Sequence, residues 1–252
     1  MGLINKFWTL STAIALVALG GSAFLNVLLF RGAKLYYLEV NAVRLDPIGL
    51  ELYPSEPILP IDKQRKRVVF FGDSRAKDWP SPDLDGYEFI NRGLSSQTTI
   101  QNIQRFDHHV SPLQPDIVIL QVGINDLKTI ALFPDRKNDI IADCQANIKS
   151  LVDASRDTGA TVIITTIFPV GTVPLERKPF WSEDIEQALD DINAYLATLA
   201  GDRVFIFDTA PVLANPEGRV IKAYEKDELH LKPQAYAQLN QSLESLLESI
   251  RQ

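Results

Sequence analysis

From Arg67 onward the chain alternates short apolar runs with longer stretches of amphipathic helical pattern, and that alternation leaves few architectures open to it. The runs predict strands at Val68–Phe71, Tyr87–Asn91, Ile117–Val122, Thr161–Ile167 and Val204–Asp208. Several, such as Ile117-Val118-Ile119-Leu120, are continuous rather than alternating, as strands covered on both faces should be. Helices are expected at about Thr98–His108, Lys137–Thr158, Ser182–Ala200 and Pro233–Ile250. In the last, Leu239, Leu243, Leu246 and Leu247 describe one apolar face, and Gly159 ends the second as a C′ glycine should. Strands joined by right-handed helical crossovers give a parallel sheet of about five strands with helices on both faces. Ligands of such sheets bind beyond the carboxyl ends of the strands.

The N-terminus obeys a different rule. Phe7 to Phe30 is 24 residues without a charge, bounded by Lys6 and Arg31. As a helix it would reach about 36 Å, enough for a hydrocarbon core of about 30 Å. Trp8 at one end and Tyr36-Tyr37 beyond the other suit the membrane interfaces. Gly21-Ser22-Ala23 could serve a signal peptidase, but the apolar run continues through Phe24–Phe30, so an uncleaved single-pass anchor is the expectation. The Lys and Arg balance would leave the body in the cytoplasm, whereas short-tailed anchors more often export the domain behind them; we adopt the extracytoplasmic side. The expected organisation is an anchor over 1–30, a partly extended stalk over 31–66 with Pro47, Pro54, Pro57 and Pro60, and a domain over 67–252.

The net charge of −7 is concentrated in the body, because residues 1–38 hold three basic residues and no acid. An acidic body excludes nucleic acid as the expected partner. The short run Lys63–Arg67 reads as a solvated lead-in to a strand. Cys144 is the single cysteine, in a helical stretch, and is expected to be a buried structural thiol. His108 and His109 end a predicted helix, where cations are favoured, and are assigned to the surface. Three histidines and one cysteine lack metal-site clustering, so neither metal nor cofactor is expected.

Four motifs fall at strand ends or in a C-terminal loop. Gly72-Asp73-Ser74 follows the first strand; taken alone it reads as a turn with a helix cap. Asn91-Arg92-Gly93 follows the second, where a glycine could bring its N–H close to a substrate carbonyl. Gly123-Ile124-Asn125-Asp126 follows the third and offers a side-chain amide, which could equally form an Asx turn. Asp227-Glu228-Leu229-His230 precedes a helix starting at Pro233; an Asp three residues before a His can reach Nδ1 while Nε2 faces a serine. Each is weak alone, but the ordered set supplies a nucleophile, oxyanion donors, and a base with its orienting carboxylate. The Gly-x-Ser-x-Gly elbow of α/β-hydrolases is absent.

Together these motifs resemble the SGNH, or GDSL, hydrolase family over about residues 67–250, its four name-giving residues matching Ser74, Gly93, Asn125 and His230. The resemblance implies a flavodoxin-like three-layer α/β/α sandwich. It makes Ser74 the nucleophile, His230 the general base and Asp227 the orienting acid, with Ser74, Gly93 and Asn125 forming the oxyanion hole. Two departures stand out: Arg75 where an apolar residue is usual, and Ser96 where the second motif often has another glycine. Arg75 is expected to point to solvent, with contact to an anionic substrate as the alternative. The implied activity is hydrolysis of a small-molecule, lipid or glycan ester, and residues 168–182 are a candidate acyl pocket or simply a long connection. A glycan O-acyltransferase and an inactive membrane-tethered binding module remain alternatives.

Overall fold

The computed structural model describes residues 2–54 and 64–251. The chain divides into two compact units, Met1–Pro47 and Ile48–Gln252. The first is one helix, α1 (Gly2–Leu45), of which Trp8–Leu45 is long and apolar enough to cross a membrane. Its large apolar side chains, among them Trp8, Val17, Phe24 and Phe30, are exposed. Polar side chains inside the run bond to their own helix: Thr12 Oγ1 donates to the Trp8 carbonyl and Asn26 Nδ2 to that of Ser22, each at 2.8 Å. That suits a surrounding with no water to solvate them. The helix does not stop at Phe30, which corrects the extended stalk expected from residue 31. Ala33, Lys34 and Leu35 are good helix formers, and no proline intervenes before Pro47. The remainder of the expected stalk includes 55–63, which lies outside the described residues.

The second unit is built on five parallel strands: β1 (Lys66–Gly72), β2 (Tyr87–Gly93), β3 (Ile117–Gln121), β4 (Thr161–Thr165) and β5 (Val204–Phe207). They pair in the order β2-β1-β3-β4-β5. Between and after them come α2 (Ser74–Lys77), α3 (Thr99–His109), α4 (Ile124–Leu127), α5 (Lys137–Asp157), α6 (Glu183–Thr198), α7 (Ala210–Leu213) and α8 (Pro233–Arg251). All five predicted strands and all four predicted helices are present, with ends shifted by no more than about two residues at most positions.

Each strand serves two cores. Val69, Phe71, Val118, Leu120, Val162 and Ile164 face α3, α5 and α6, where Phe106, Ile148 and Ile192 meet them. The alternate residues Val68, Phe70, Ile117, Ile119 and Ile163 face α8, through Tyr236, Leu239, Leu243 and Leu247. That two-sided burial explains the continuous apolar runs and makes the architecture a flavodoxin-like three-layer α/β/α sandwich. The direction in which successive strands are added reverses between β1 and β3, so the switch point opens at the ends carrying Gly72 and Gln121.

Two polar groups assigned to the surface are buried. Arg67, expected as a solvated lead-in, donates from Nε to Glu88 Oε2 at 2.8 Å and from Nη1 to the Leu113 carbonyl at 2.7 Å. As β1 begins at Lys66, residue 67 already lies between neighbouring strands. His109 is also fully buried, on the inner face of α3 with Arg105 and Phe106. Its ring meets Tyr53 edge-on with centroids 5.5 Å apart, and its Nδ1 lies 3.3 Å from Arg105 Nη1. Cys144 is a buried thiol as expected, its pKa pushed up by burial.

Burial lowers the His109 pKa to about 4; the Leu50 carbonyl opposes the shift and the Arg105 charge adds to it. The unfolded chain would take up a proton here near pH 6.5, which the folded chain refuses until about 4. The stability this neutral imidazole contributes is therefore present above that window and falls as pH falls through it. Between pH 7 and 4.5, urea melts should show a larger loss for the wild type than for His109→Gln; equal losses would refute it. Asp73, whose raised pKa acts with the opposite sign, is common to both proteins and cancels.

Candidate active site

The turn that carries Ser74 leaves β1 level with the end of β3, with no room to spare. A Cβ on Gly72, where φ is 150°, would lie 1.8 Å from the Gln121 carbonyl oxygen, so only glycine fits. Asp73 then caps α2, its Oδ1 accepting the Arg75 N–H at 2.8 Å. Ser74 is the first residue of α2, and a helix start leaves its N–H without an intrahelical acceptor. Ser74 is half-buried, and its hydroxyl lies 2.9 Å from His230 Nε2. Asp73 is fully buried, and burial, outweighing the Arg75 charge and N–H, raises its pKa to about 6.

His230 sits on the loop between α7 and α8, pinched by an antiparallel bridge between Glu225 and Leu231. Asp227 folds the loop on itself: its Oδ1 accepts the N–H groups of Leu229 and His230, each at 2.8 Å. His230 Nδ1 lies 2.9 Å from both carboxylate oxygens. Burial pushes the Asp227 pKa up, but the two N–H groups and the imidazole outweigh it and leave it below the ordinary Asp value. An ionised Asp227 holds the proton on Nδ1, which leaves Nε2 free to accept from the Ser74 hydroxyl. A neighbouring segment steadies the loop, since Gly171 N–H donates to the Glu228 carbonyl at 2.9 Å.

Asn125 lies in α4 just past β3, on the same sheet edge, and donates one amide hydrogen to the Gln97 carbonyl at 3.0 Å. Its second amide hydrogen remains for another acceptor. Asp126 beside it anchors the start of α3, accepting from the Thr99 hydroxyl at 2.6 Å and the Thr99 N–H at 2.9 Å. Gly93 ends β2, and its N–H donates to Asn91 Oδ1 at 2.8 Å; its missing side chain also serves packing. A Cβ there would lie 2.2 Å from Lys77 N, at the end of α2. Three residues on, Ser96 has φ 64°, a left-handed backbone that costs serine more than the glycine often found at this position.

Of residues 168–182, Thr172, Val173, Lys178, Trp181 and Ser182 line an open hollow of about 540 Å³ together with Glu183, Glu186 and Arg219. Arg75 departs from expectation, being fully buried rather than solvent-facing. The sequence offered no signal for this, because the carbonyls it binds come from distant segments, at Phe168 and Leu229.

A hydroxyl, an imidazole and a carboxylate in one hydrogen-bonded series, at the carboxyl edge of a flavodoxin-like sheet, form an arrangement suited to nucleophilic acyl transfer. The chain matches the family model of the GDSL-like Lipase/Acylhydrolase family over residues 70–238, and it belongs to that family. Several solved structures share its fold. A GDSL-like lipase from Bacteroides thetaiotaomicron is 24% identical with a TM-score of 0.58, covering 76% of this chain and 91% of its own. A Streptococcus pneumonia protein, provisionally described as a platelet activating factor, is 20% identical with a TM-score of 0.66, over 85% and 99%. The aryl esterase of M. smegmatis is 20% identical with a TM-score of 0.56, over 73% and 99%. A search of curated proteins finds no match to the sequence.

Because the Gly93 Cα faces the backbone of Lys77 rather than a flexible side chain, Gly93→Ala cannot be absorbed by a rotamer change. The variant should lose about 2 kcal/mol or more in chemical denaturation. A loss below about 0.5 kcal/mol would mean that the α2–β2 contact is looser than described.

Proposed function

We propose that this chain is a membrane-anchored serine hydrolase of carboxylic esters, with Ser74 as nucleophile, His230 as general base and Asp227 as orienting acid. The observation that carries this reading is the series Ser74 Oγ to His230 Nε2 and His230 Nδ1 to Asp227, each step at 2.9 Å. Ser74 attacks the ester carbonyl as His230 accepts its proton. The oxyanion is held by the Ser74 N–H and the free amide hydrogen of Asn125. Gly93 supports that hole through the backbone it packs against α2, its own N–H being committed to Asn91. Return of the proton to the leaving alcohol gives the acyl-enzyme, and water activated by His230 then releases the acid.

The test is hydrolysis of p-nitrophenyl acetate, butyrate and decanoate by the detergent-solubilised full-length chain, beside Ser74→Ala. Turnover abolished by the substitution is the expected result, and the chain-length profile then separates a short-acyl from a lipid-directed enzyme. Absence of Ser74-dependent turnover from the folded protein on every ester would sink the reading. Asn125→Ala should lower kcat about 10²- to 10³-fold, the usual cost of one oxyanion donor.

The anchor is supported by α1, whose Trp8–Leu45 stretch suits a membrane span by length and composition. We place the catalytic unit on the extracytoplasmic side. The full chain should remain in the membrane pellet after an alkaline carbonate wash; release into the supernatant would argue for a cleaved or peripheral segment instead.

A further inference from the structure

Arg75 directly follows the nucleophile and is wholly buried. Its Nε donates to the Leu229 carbonyl at 2.8 Å and its Nη1 to the Phe168 carbonyl at 3.2 Å. The guanidinium carbon stands 5.3 Å from the centroid of the Phe168 ring. Its backbone carbonyl accepts the Tyr236 hydroxyl at 3.1 Å. One residue thus joins four segments that meet only in the folded domain: the nucleophile turn, the exit of β4, the loop carrying His230, and α8. Leu229 is the residue immediately before His230, so the Nε bond fixes the peptide from which the imidazole hangs.

This arrangement is costly as a device for stability. A guanidinium removed from water needs its donors satisfied, yet Arg75 Nη2 has no partner. A methionine or leucine would fill the same space without that penalty. Nor can the group recognise an anionic substrate, because it is inaccessible and two of its three nitrogens are bound to carbonyls. What an apolar residue could not do is hold the Leu229 and Phe168 carbonyls at fixed positions relative to Ser74.

We propose that Arg75 is a positioning residue, which sets the approach of His230 to the Ser74 hydroxyl by clamping the Leu229 and Phe168 carbonyls. The inference rests on the reading of Ser74, His230 and Asp227 as the catalytic set. Two full-length variants test it. Arg75→Met keeps the apolar stem and loses both carbonyl bonds; Arg75→Lys keeps the charge, with an ammonium that cannot span both carbonyls. For each we would measure kcat and KM on the p-nitrophenyl ester best used by the wild type, the melting temperature, and the downfield proton signal of the His230–Asp227 hydrogen bond.

The expected result is a fall in kcat of about 10²-fold for Arg75→Met, the scale of a misplaced reacting group. The Lys variant should be intermediate. KM should change little in either, and the Nδ1 proton signal should shift or broaden. A folded Arg75→Met with wild-type kcat and an unchanged signal would overturn the proposal, as would the same outcome for Arg75→Lys where Arg75→Met fails to fold. A loss of activity that only tracks the folded fraction, with the signal intact, would reduce Arg75 to a structural role. Wild-type protein lacking Ser74-dependent turnover would overturn the catalytic reading and this inference with it.

Discussion

Everything at the site depends on how closely β1 and β3 approach where the order of strand addition reverses. At Gly72 the chain must turn out of β1 across the Gln121 carbonyl with no space for a methyl group, and the same residue's carbonyl then accepts the Leu94 N–H at 2.9 Å and Arg105 Nη2 at 2.8 Å. One glycine therefore sets the direction of the turn carrying Ser74 and ties it to the loop after β2. Gly93 does the complementary work on the other side, where β2 presses on the backbone of α2. The serine is presented by two backbone contacts that tolerate no side chain, and packing this close transmits any displacement.

Around that frame the domain uses buried guanidinium groups to hold carbonyls at strand and loop ends. Arg105 reaches the carbonyls of Gly72 and Arg92, both at 2.8 Å, and stands 4.1 Å over the Phe71 ring. Arg75 does the same for Phe168 and Leu229. Planar, multi-donor cations suit this task better than an ammonium, since one group can serve two acceptors in fixed directions. Burial lowers the pKa of Arg105 to about 9, which leaves it charged at neutral pH. Membership of the GDSL-like family and the flavodoxin-like sandwich fit this edge, where α/β sheets open a crevice for ligands.

Much of this is legible in the sequence. The five strands and four long helices can be read because both faces of each strand are covered, so apolar residues run on without interruption. Ser74, Asn125 and the Asp227–His230 pair can be read because each lies in a short motif at a strand end or in a loop of its own. The departures at three polar residues share one cause. Arg67, Arg75 and His109 are polar, and polarity in a sequence suggests solvent; each is buried because a partner from elsewhere in the chain meets it, at Glu88, Leu229 and Tyr53 respectively. Gly93 adds a requirement that its motif did not reveal, since α2 approaches too closely for any side chain there.

By itself the sequence determined the order of the elements, the long apolar helix, and which side chains are candidates for the chemistry, since these follow from periodicity and from motifs a few residues long. The end of α1 at Leu45 rather than Phe30 was also implicit, in the absence of a proline before Pro47. Only the tertiary structure decided which cations are buried and how closely β2 presses on α2. Those are properties of pairs of residues far apart in the chain. Hydrogen bonding and desolvation depend on what a group meets after folding, and residue 75 meets residue 229 only then.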